Sequence, residues 1–392
     1  MAEKMVRSIL DTDLYKFTTS YAYMKNYPDA EGEFTFINRN KTEFTKDEID
    51  DLRSYIYRLG ELQLSNDELE WCIKNIPFIP IYYWEWLRGF RFDVNKINIG
   101  SDDNGHLQIN VYDKLYKVTL YEVPILAIVS EWMSMKFKDI AYIENIEKVL
   151  LEKIALAAVG QFTFSEFGTR RRFSYDVQDK VLAILNTKGR DVCNGTSNVH
   201  FAMKYGMKAM GTHPHEWFMF HGAQFGYKHA NYLAMEVWAN TYHGDLGIAL
   251  TDTYTSDVFF RNFSKEHAKL FDGIRQDSGD ELEFTDKAIA RYKEHKINPL
   301  TKTIIFSNAL DFIKARRIAD YCHGKIGFAF GIGTNLTNDL GVPHANIVMK
   351  LTRCKMNEKQ PDEYTIKLSD DLGKHLGPES EVNIAKQTLN IK

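Results

Sequence analysis

Phe328-Ala329-Phe330-Gly331-Ile332-Gly333-Thr334 is an apolar run that stops at two glycines and a hydroxyl. Its length and its end suit a buried strand that hands over to a loop. Three more runs stop in the same way. Ala209-Met210 leads to Gly211-Thr212, Ile248-Ala249-Leu250 to Thr251-Asp252, and Ile304-Ile305-Phe306 to Ser307-Asn308. Helical stretches alternate with them, at 146–159 and at 177–185, where Val177, Val181, Leu182 and Leu185 share one face. The run ends at 211, 251, 307 and 331 are 40, 56 and 24 residues apart. A (β/α)₈ barrel spends about 250 residues on eight units, roughly 31 on each. The 56-residue interval therefore has room for a further unit around 273–280. Polar residues gathered at the C-terminal ends of parallel strands are where barrel enzymes keep their chemistry. The expected fold is α/β, with an irregular (β/α) barrel over 141–350.

Outside that span the rhythm changes. Residues 91–129 read as β structure, with a tight turn at Asp103-Asn104-Gly105 followed by alternation in Leu107, Ile109 and Val111. Residues 33–37, 347–351 and 364–368 are strand-like, the last two flanking a polar loop that contains Pro361. These pieces predict a second α+β lobe, 1–140, completed by 351–392. No internal repeat, low-complexity tract or linker interrupts the chain.

Composition bounds the function. At about 150 residues per domain, 392 residues make two to three domains, or one large domain with an appended lobe. Apolar residues are 44% and charged ones 26%, which excludes wholesale disorder. A net charge of -4, from 49 basic and 53 acidic residues, gives no footprint for nucleic acid. The first thirteen residues lack a signal-peptide core, and the apolar runs 123–129 and 154–159 are far too short to span a membrane. Cys72, Cys193, Cys322 and Cys354 form no C-x-x-C pair, so buried, reduced thiols in a cytoplasmic protein are expected.

Five motifs carry chemistry. Gly331-Ile332-Gly333-Thr334 lets backbone approach a ligand and can cradle a phosphate, yet position 336 is Leu, so it is no dinucleotide fingerprint. A plain glycine turn is the bland alternative. Ile274 to Asp280 packs Arg275, Asp277, Ser278 and Asp280 into seven residues; Asp277 can accept from sugar hydroxyls or, with Asp252, hold Mg²⁺, and Arg275 can bind a carboxylate or phosphate. A solvated turn would look similar.

Gly211-Thr212-His213-Pro214-His215-Glu216-Trp217 admits three readings: a His-x-His metal site, a single acid–base or nucleophilic histidine oriented by a carboxylate, or two core histidines. Pro214 weakens the first. Glu166-Phe167-Gly168-Thr169-Arg170-Arg171-Arg172 sets three arginines beside a glycine and an acid, suited to gripping a diphosphate as well as to lying in solvent. Asn194-Gly195-Thr196-Ser197-Asn198 is a further polar strand-to-helix turn.

Together with Asp11-Thr12-Asp13-Leu14-Tyr15-Lys16, these motifs run in one order from Asp11 to about Lys350 and resemble nicotinate phosphoribosyltransferase. The resemblance implies condensation of nicotinate with phosphoribosyl pyrophosphate, coupled to ATP hydrolysis through a phosphohistidine, in NAD synthesis. It implies Mg²⁺, ATP as co-substrate, and a homodimer with a shared site. His215 is then the phosphorylated residue. Phe167 stacks on one face of the pyridine and Tyr15, from a neighbouring protomer, on the other. Arg275 takes the nicotinate carboxylate. Thr196 and Ser197 line the substrate, and Ser197 stands where nicotinamide-using relatives have an acid, whose absence favours the acid substrate. Gly331, Gly333 and Thr334 hold the 5′-phosphate, Asp277 the ribose hydroxyls, and Arg170, His215, Arg39 and Lys350 the pyrophosphate. Competing readings are a nicotinamide- or quinolinate-type phosphoribosyltransferase, a metal-dependent barrel hydrolase, and a binding module for phosphorylated sugars.

Overall fold

In the computed structural model, which describes residues 4–371 and 375–391, the strand-ending runs pair into one parallel sheet. In chain order the strands of the protein are β1 (Glu31–Asn38), β2 (Ile97–Ser101), β3 (Leu107–Lys114), β4 (Phe164–Glu166), β5 (Cys193–Thr196), β6 (Ile248–Leu250), β7 (Gly273–Gln276), β8 (Thr303–Phe306), β9 (Gly327–Ile332), β10 (Ile347–Lys355) and β11 (Glu363–Tyr364). The parallel sheet has the order β5-β4-β9-β8-β7-β6, so the last strand, β9, lies beside the first, β4. Ala209 extends it beyond β5 through a parallel bridge to Thr196. The 209–210 run is thus a single bridge and not a strand, whereas the further unit expected near 273 is β7. Between Ala209 and β6 the chain runs through the helices His215–Phe225 and Tyr227–Tyr242. The helices Ile146–Val159 and Tyr175–Lys188 form where the period suggested, and Val177, Val181, Leu182 and Leu185 are all buried.

The second sheet is antiparallel, β11-β10-β1-β3-β2, and takes strands from both ends of the chain. Asp102 holds the β2–β3 turn: Asn104 N and His106 N each donate to its Oδ1 at 2.9 Å, and Gly105 takes φ +79°. Because β10 pairs with β1 over its whole length, this sheet begins at Ile347 on the C-terminal side. The helix Glu379–Leu389 packs elsewhere, burying Val382, Ala385 and Leu389 with Ala230, Tyr254 and Val258 of the other sheet's helices.

Two expectations fail. Residues 115–129 are helical, not β: Leu115–Val118 and Glu122–Ser134 are helices, and 123–129 is buried throughout. A helix enclosed on all sides has no polar face, so periodicity does not separate it from a buried strand. Pro124 sits in its first turn, where a missing N–H costs nothing. The run Leu115–Phe137 is also long and apolar enough to cross a membrane by length and composition, with mean hydropathy 1.2, but 78% of that window is buried inside the protein. Residues 365–368, expected to extend a strand, leave the sheet after Tyr364, and Leu368 N donates to Thr253 O at 2.8 Å.

The three arginines part company. Arg172 is fully buried and forms a bidentate pair with Asp11 (Nη1–Oδ1 2.8 Å, Nη2–Oδ2 3.0 Å). Asn198 Nδ2 donates to the same Asp11 Oδ1 at 2.8 Å, and Arg172 Nη1 donates to Gln178 Oε1 at 3.1 Å. Burial alone would raise the Asp11 pKa; the guanidinium and the Asn198 amide hold it below its ordinary value. Asp11→Ala leaves the buried guanidinium without its bidentate partner and with only Glu131, 3.9 Å from Nε, as a counter-charge, so unfolding free energy should fall by about 3 kcal/mol. Urea denaturation measures this, and Asp11→Leu with Arg172→Met should lose less than Asp11→Ala alone.

Candidate active site

Each parallel strand ends in a residue that faces the same edge of the sheet. Phe167 follows β4, Ser197 follows β5, Thr212 follows the Ala209 bridge, Asp252 comes two residues after β6, Asp277 follows β7, Ser307 follows β8 and Gly333 follows β9. Parallel pairing puts all these carboxyl ends on one side, where ligands bind in open α/β sheets.

The polar centre is built on His215, the first residue of its helix. Its Nδ1 lies 3.0 Å from Thr253 Oγ1, and its Nε2 lies 3.1 Å from Asp277 Oδ2 and 2.9 Å from Lys367 Nζ. Asp252 Oδ1 is 3.7 Å from the same Nε2, and Lys367 Nζ is 3.3 Å from Asp252 Oδ2. Ser278 Oγ donates to Asp252 Oδ2 at 2.7 Å and Ser307 Oγ to Asp277 Oδ1 at 2.5 Å. Arg275 Nη2 lies 3.7 Å from Asp277, and Arg275 Nη1 donates to Thr212 Oγ1 at 2.7 Å. Burial, then the Lys367 charge, push His215 down to about 4, so its ring is neutral near pH 7. Burial works against ionisation of Asp277, but Arg275 and His215 outweigh it and hold the carboxyl well below the usual range. Lys367 and His215 do the same for Asp252.

The residue that follows His215 does not orient it. Glu216 turns away to the buried Lys16, which also pairs with Glu122, and accepts from Thr119 Oγ1 at 2.5 Å. Trp217 is core, donating from Nε1 to Ala234 O at 2.9 Å. The carboxylates beside His215 come from β6 and β7. His213 is boxed by Phe218 and Trp238, with ring centroids at 4.9 and 5.0 Å, and neither of its nitrogens has a hydrogen-bond partner among the described residues. It is the core histidine of the pair, and His-x-His is no metal site. The ligand atoms of His215, Asp252 and Asp277 do lie within 4.8 Å of one another, and Asp252 Oδ1 is buried with no hydrogen-bond partner among the described residues.

A flat face stands alongside. A Cβ on Gly331 would come within 2.5 and 2.6 Å of Phe167 ring carbons, and one on Gly333 within 2.9 Å of Phe167 O. The glycines therefore seat the Phe167 ring, and Thr334 opens the short helix that follows. Tyr15 of the same chain lies nearby, its ring centroid 5.9 Å from Arg170 Cζ. Arg170 Nε is 3.6 Å from Asp13 Oδ2, and Ser197 Oγ donates to Asp13 Oδ1 at 2.7 Å. An acid does approach Ser197, then, but through space and paired with Arg170. Thr196 is committed elsewhere, donating from Oγ1 to Glu166 Oε2 at 2.6 Å. Arg171 donates from Nε to Ile347 O at 3.0 Å. Lys350, on β10, is pushed down to about 8 by burial, against the pull of Glu122 and with Arg170 and Lys367 near. Arg39 is exposed just past β1.

Asp13, Lys16 and Ser307 stand within the stretches quoted above but carried no site role there. Thr253 adjoins Asp252, and no local pattern points to Lys367.

Two tests follow from this geometry. Gly331→Ala drives a methyl group into Phe167 and should displace its ring with little loss of fold, so affinity for a flat aromatic ligand should fall, as titration calorimetry and circular dichroism would report. His213, His215 and His221 are held by burial at about 3, 4 and 4. Their unfolded values are near 6.5, so the unfolded chain binds more protons below that pH, and stability falls as pH drops from 6.5 towards 4, by about 1.4 kcal/mol per pH unit for each histidine. Glu166, raised to about 7 by burial, acts in the opposite sense. The quantity to measure is the difference in slope between the wild type and His213→Phe, which should be shallower.

Comparison with known proteins agrees with this arrangement. The model of the nicotinate phosphoribosyltransferase (NAPRTase) family matches residues 162–392, and that of the NAPRTase N-terminal domain matches residues 10–130. The nicotinate phosphoribosyltransferase of Chromohalobacter salexigens is 44% identical over 388 residues, covering 99% of each chain. The crystal structure of nicotinate phosphoribosyltransferase from Porphyromonas gingivalis superposes with a TM-score of 0.97 at 50% identity, covering 98% of this chain and 100% of that one. The corresponding structure from Vibrio cholerae has a TM-score of 0.93 at 33% identity, covering 100% of this chain and 95% of the other.

Proposed function

The chain belongs to the nicotinate phosphoribosyltransferase family, and from that premise we propose that it joins nicotinate to phosphoribosyl pyrophosphate, yielding nicotinate mononucleotide and pyrophosphate for NAD synthesis. The observation that carries the reading is the Phe167 ring, backed by Gly331, on the same sheet edge as the His215, Asp252 and Asp277 centre.

In this reading the pyridine stacks on Phe167, with Tyr15 on its other face. Arg275, whose Nε is buried without a partner, receives the nicotinate carboxylate. Gly331, Gly333 and Thr334 cradle the 5′-phosphate, and Asp277 accepts from the ribose hydroxyls. Arg170, Lys350, Arg39 and His215 face the pyrophosphate, and Thr196 holds Ser197 in place by bonding Glu166. Breaking the bond from C1 to pyrophosphate builds positive charge on the ribose and negative charge on the leaving group. Fixed cations and an in-line pyridine nitrogen lower that barrier without a protein nucleophile on the sugar. Mg²⁺ fits the free oxygen of Asp252 together with Asp277, and when bound supplies further charge neutralisation on the diphosphate.

ATP is the second co-substrate in this reading, and its γ-phosphoryl group is taken by His215, whose neutral ring supports a nucleophilic role. In this reading β4 to β9 belong to an irregular barrel, beside a lobe formed by 1–140 with the C-terminal strands that begin at Ile347. The protein works as a cytoplasmic homodimer, and its four buried, free thiols support a reducing compartment.

A product assay with nicotinate, phosphoribosyl pyrophosphate and Mg²⁺, with and without ATP, tests the proposal. Nicotinate mononucleotide should form, faster with ATP, and nicotinamide should be a poor substitute. His215→Ala should retain only slow, ATP-independent transfer with weakened phosphoribosyl pyrophosphate binding. Undiminished ATP stimulation in that variant refutes the role of His215.

A further inference from the structure

Lys153 has no part in the assignments above. It belongs to the helix Ile146–Val159, whose buried residues are Ile146, Leu150, Lys153 and Ala157, so an ammonium group stands where the helical spacing calls for an apolar side chain. Its side chain is 11% exposed, and burial pulls its pKa below the ordinary value against the opposing pull of Asp339. Burying a charge is costly unless it is paired and hydrogen-bonded. The partners lie in the turn after β9. Lys153 Nζ donates to Asp339 Oδ2 at 2.6 Å and to Asn335 O, and Asn335 Nδ2 donates to the same Asp339 oxygen at 3.3 Å. One ammonium thus ties the two ends of the segment 335–339 together and fastens them to a helix that supplies no other group to the site.

The same segment also holds the loop after β4. Thr337 Oγ1 donates to Gly168 O at 3.1 Å, Asn338 Nδ2 to Arg171 O at 2.7 Å and Phe173 N to Thr337 O at 3.0 Å. A Cβ on Gly168 would come within 2.1 Å of Thr337 Oγ1, so the two stretches pack with no room for a side chain there. Thr337 and Asn338 are both buried. Lys153 on one side and these three bonds on the other fix the segment that follows Gly333. Backbone N–H groups cradle an anion only while they converge on it. A turn ordered before the ligand arrives spares the binding step that ordering cost.

We propose that Lys153 is a positioning residue: by holding Asn335 and Asp339 it keeps the turn 333–339 in the shape that receives the 5′-phosphate. This rests on the reading of Gly331, Gly333 and Thr334 as the 5′-phosphate cradle. Lys153 acts through that backbone and not on the ligand, so its loss weakens recognition of the phosphate rather than of the pyridine or the ribose. Without the ammonium, Asp339, whose side chain is 45% exposed, turns to water, Asn335 O loses its donor, and the turn has to be ordered anew in each complex.

Titration calorimetry of the full chain with nicotinate mononucleotide and with nicotinate riboside, which differ only in the 5′-phosphate, tests this. Wild type should bind the mononucleotide more tightly. Lys153→Met should lose roughly 10-fold in affinity for the mononucleotide, the effect of losing one charge-assisted hydrogen bond, with the riboside affinity unchanged, and Lys153→Arg should restore the wild-type ratio. In steady-state assays of Lys153→Met, KM for phosphoribosyl pyrophosphate should rise while KM for nicotinate holds. An unchanged ratio in Lys153→Met, or equal losses with both ligands, overturns the proposal, since a purely structural role lowers both affinities together. If circular dichroism shows that Lys153→Met does not fold, Asp339→Asn removes the counter-charge at the exposed end of the same contact, and an unchanged ratio in that variant overturns the proposal. Equal affinity of the wild type for the two ligands would overturn the reading of the cradle, and the role of Lys153 with it, whatever the variants show.

Discussion

The buried pair between Arg172 and Asp11 holds together the pieces from which the active edge is made. Asp11 lies in the N-terminal segment, Arg172 ends the loop after β4, and Asn198, bonded to the same carboxylate, ends the turn after β5. Backbone bonds continue the tie, from Leu14 N to Ser197 O at 2.7 Å and from Val199 N to Thr12 O at 3.0 Å. A bidentate pair removed from solvent tolerates little displacement, because either charge left alone is heavily penalised. Two residues before Arg172 stands Arg170, and two after Asp11 stands Asp13. Fixing the inner pair thereby sets the position of the outer one.

The edge is densely charged for so enclosed a place. Lys16, Arg170, Arg275, Lys350 and Lys367 are interleaved with Asp13, Glu122, Glu216, Asp252 and Asp277. Each charge has an opposite charge close by, which offsets part of what burial costs. The arrangement is also preorganised, with Ser278, Ser307, Thr212 and Thr253 each spending a hydroxyl on a charged or titratable neighbour. Side chains held in this way need little reorganisation when charge develops beside them.

Much of this was legible in the residues. The apolar runs at 248–250, 304–306 and 328–330 became β6, β8 and β9, and the polar residues after them stand at the sheet edge. What stayed hidden had physical reasons. The helix Glu122–Ser134 is enclosed on all sides and so carries no amphipathic signal. Three adjacent arginines look equivalent in a string, but Arg172 turns inward to Asp11 while Arg170 pairs with Asp13. Lys367 reaches His215 across 152 residues of chain, and Asp13 reaches Ser197 across 184. Contacts of that separation are decided by tertiary packing, which no local pattern encodes.

The pairing of β1 with β10 has a consequence for biosynthesis. Glu31 faces Lys355 and Asn38 faces Ile347, so the central strand of the antiparallel sheet must wait for a neighbour made some three hundred residues later. At 5–20 residues per second the ribosome takes roughly 15–60 s to deliver it. Throughout that interval one side of β1 is an open edge with unmet backbone donors and acceptors, ready to pair with any other extended chain. Nascent copies on one polysome are the nearest such chains, so the late arrival of β10 makes β1 the exposed edge of the unfinished protein.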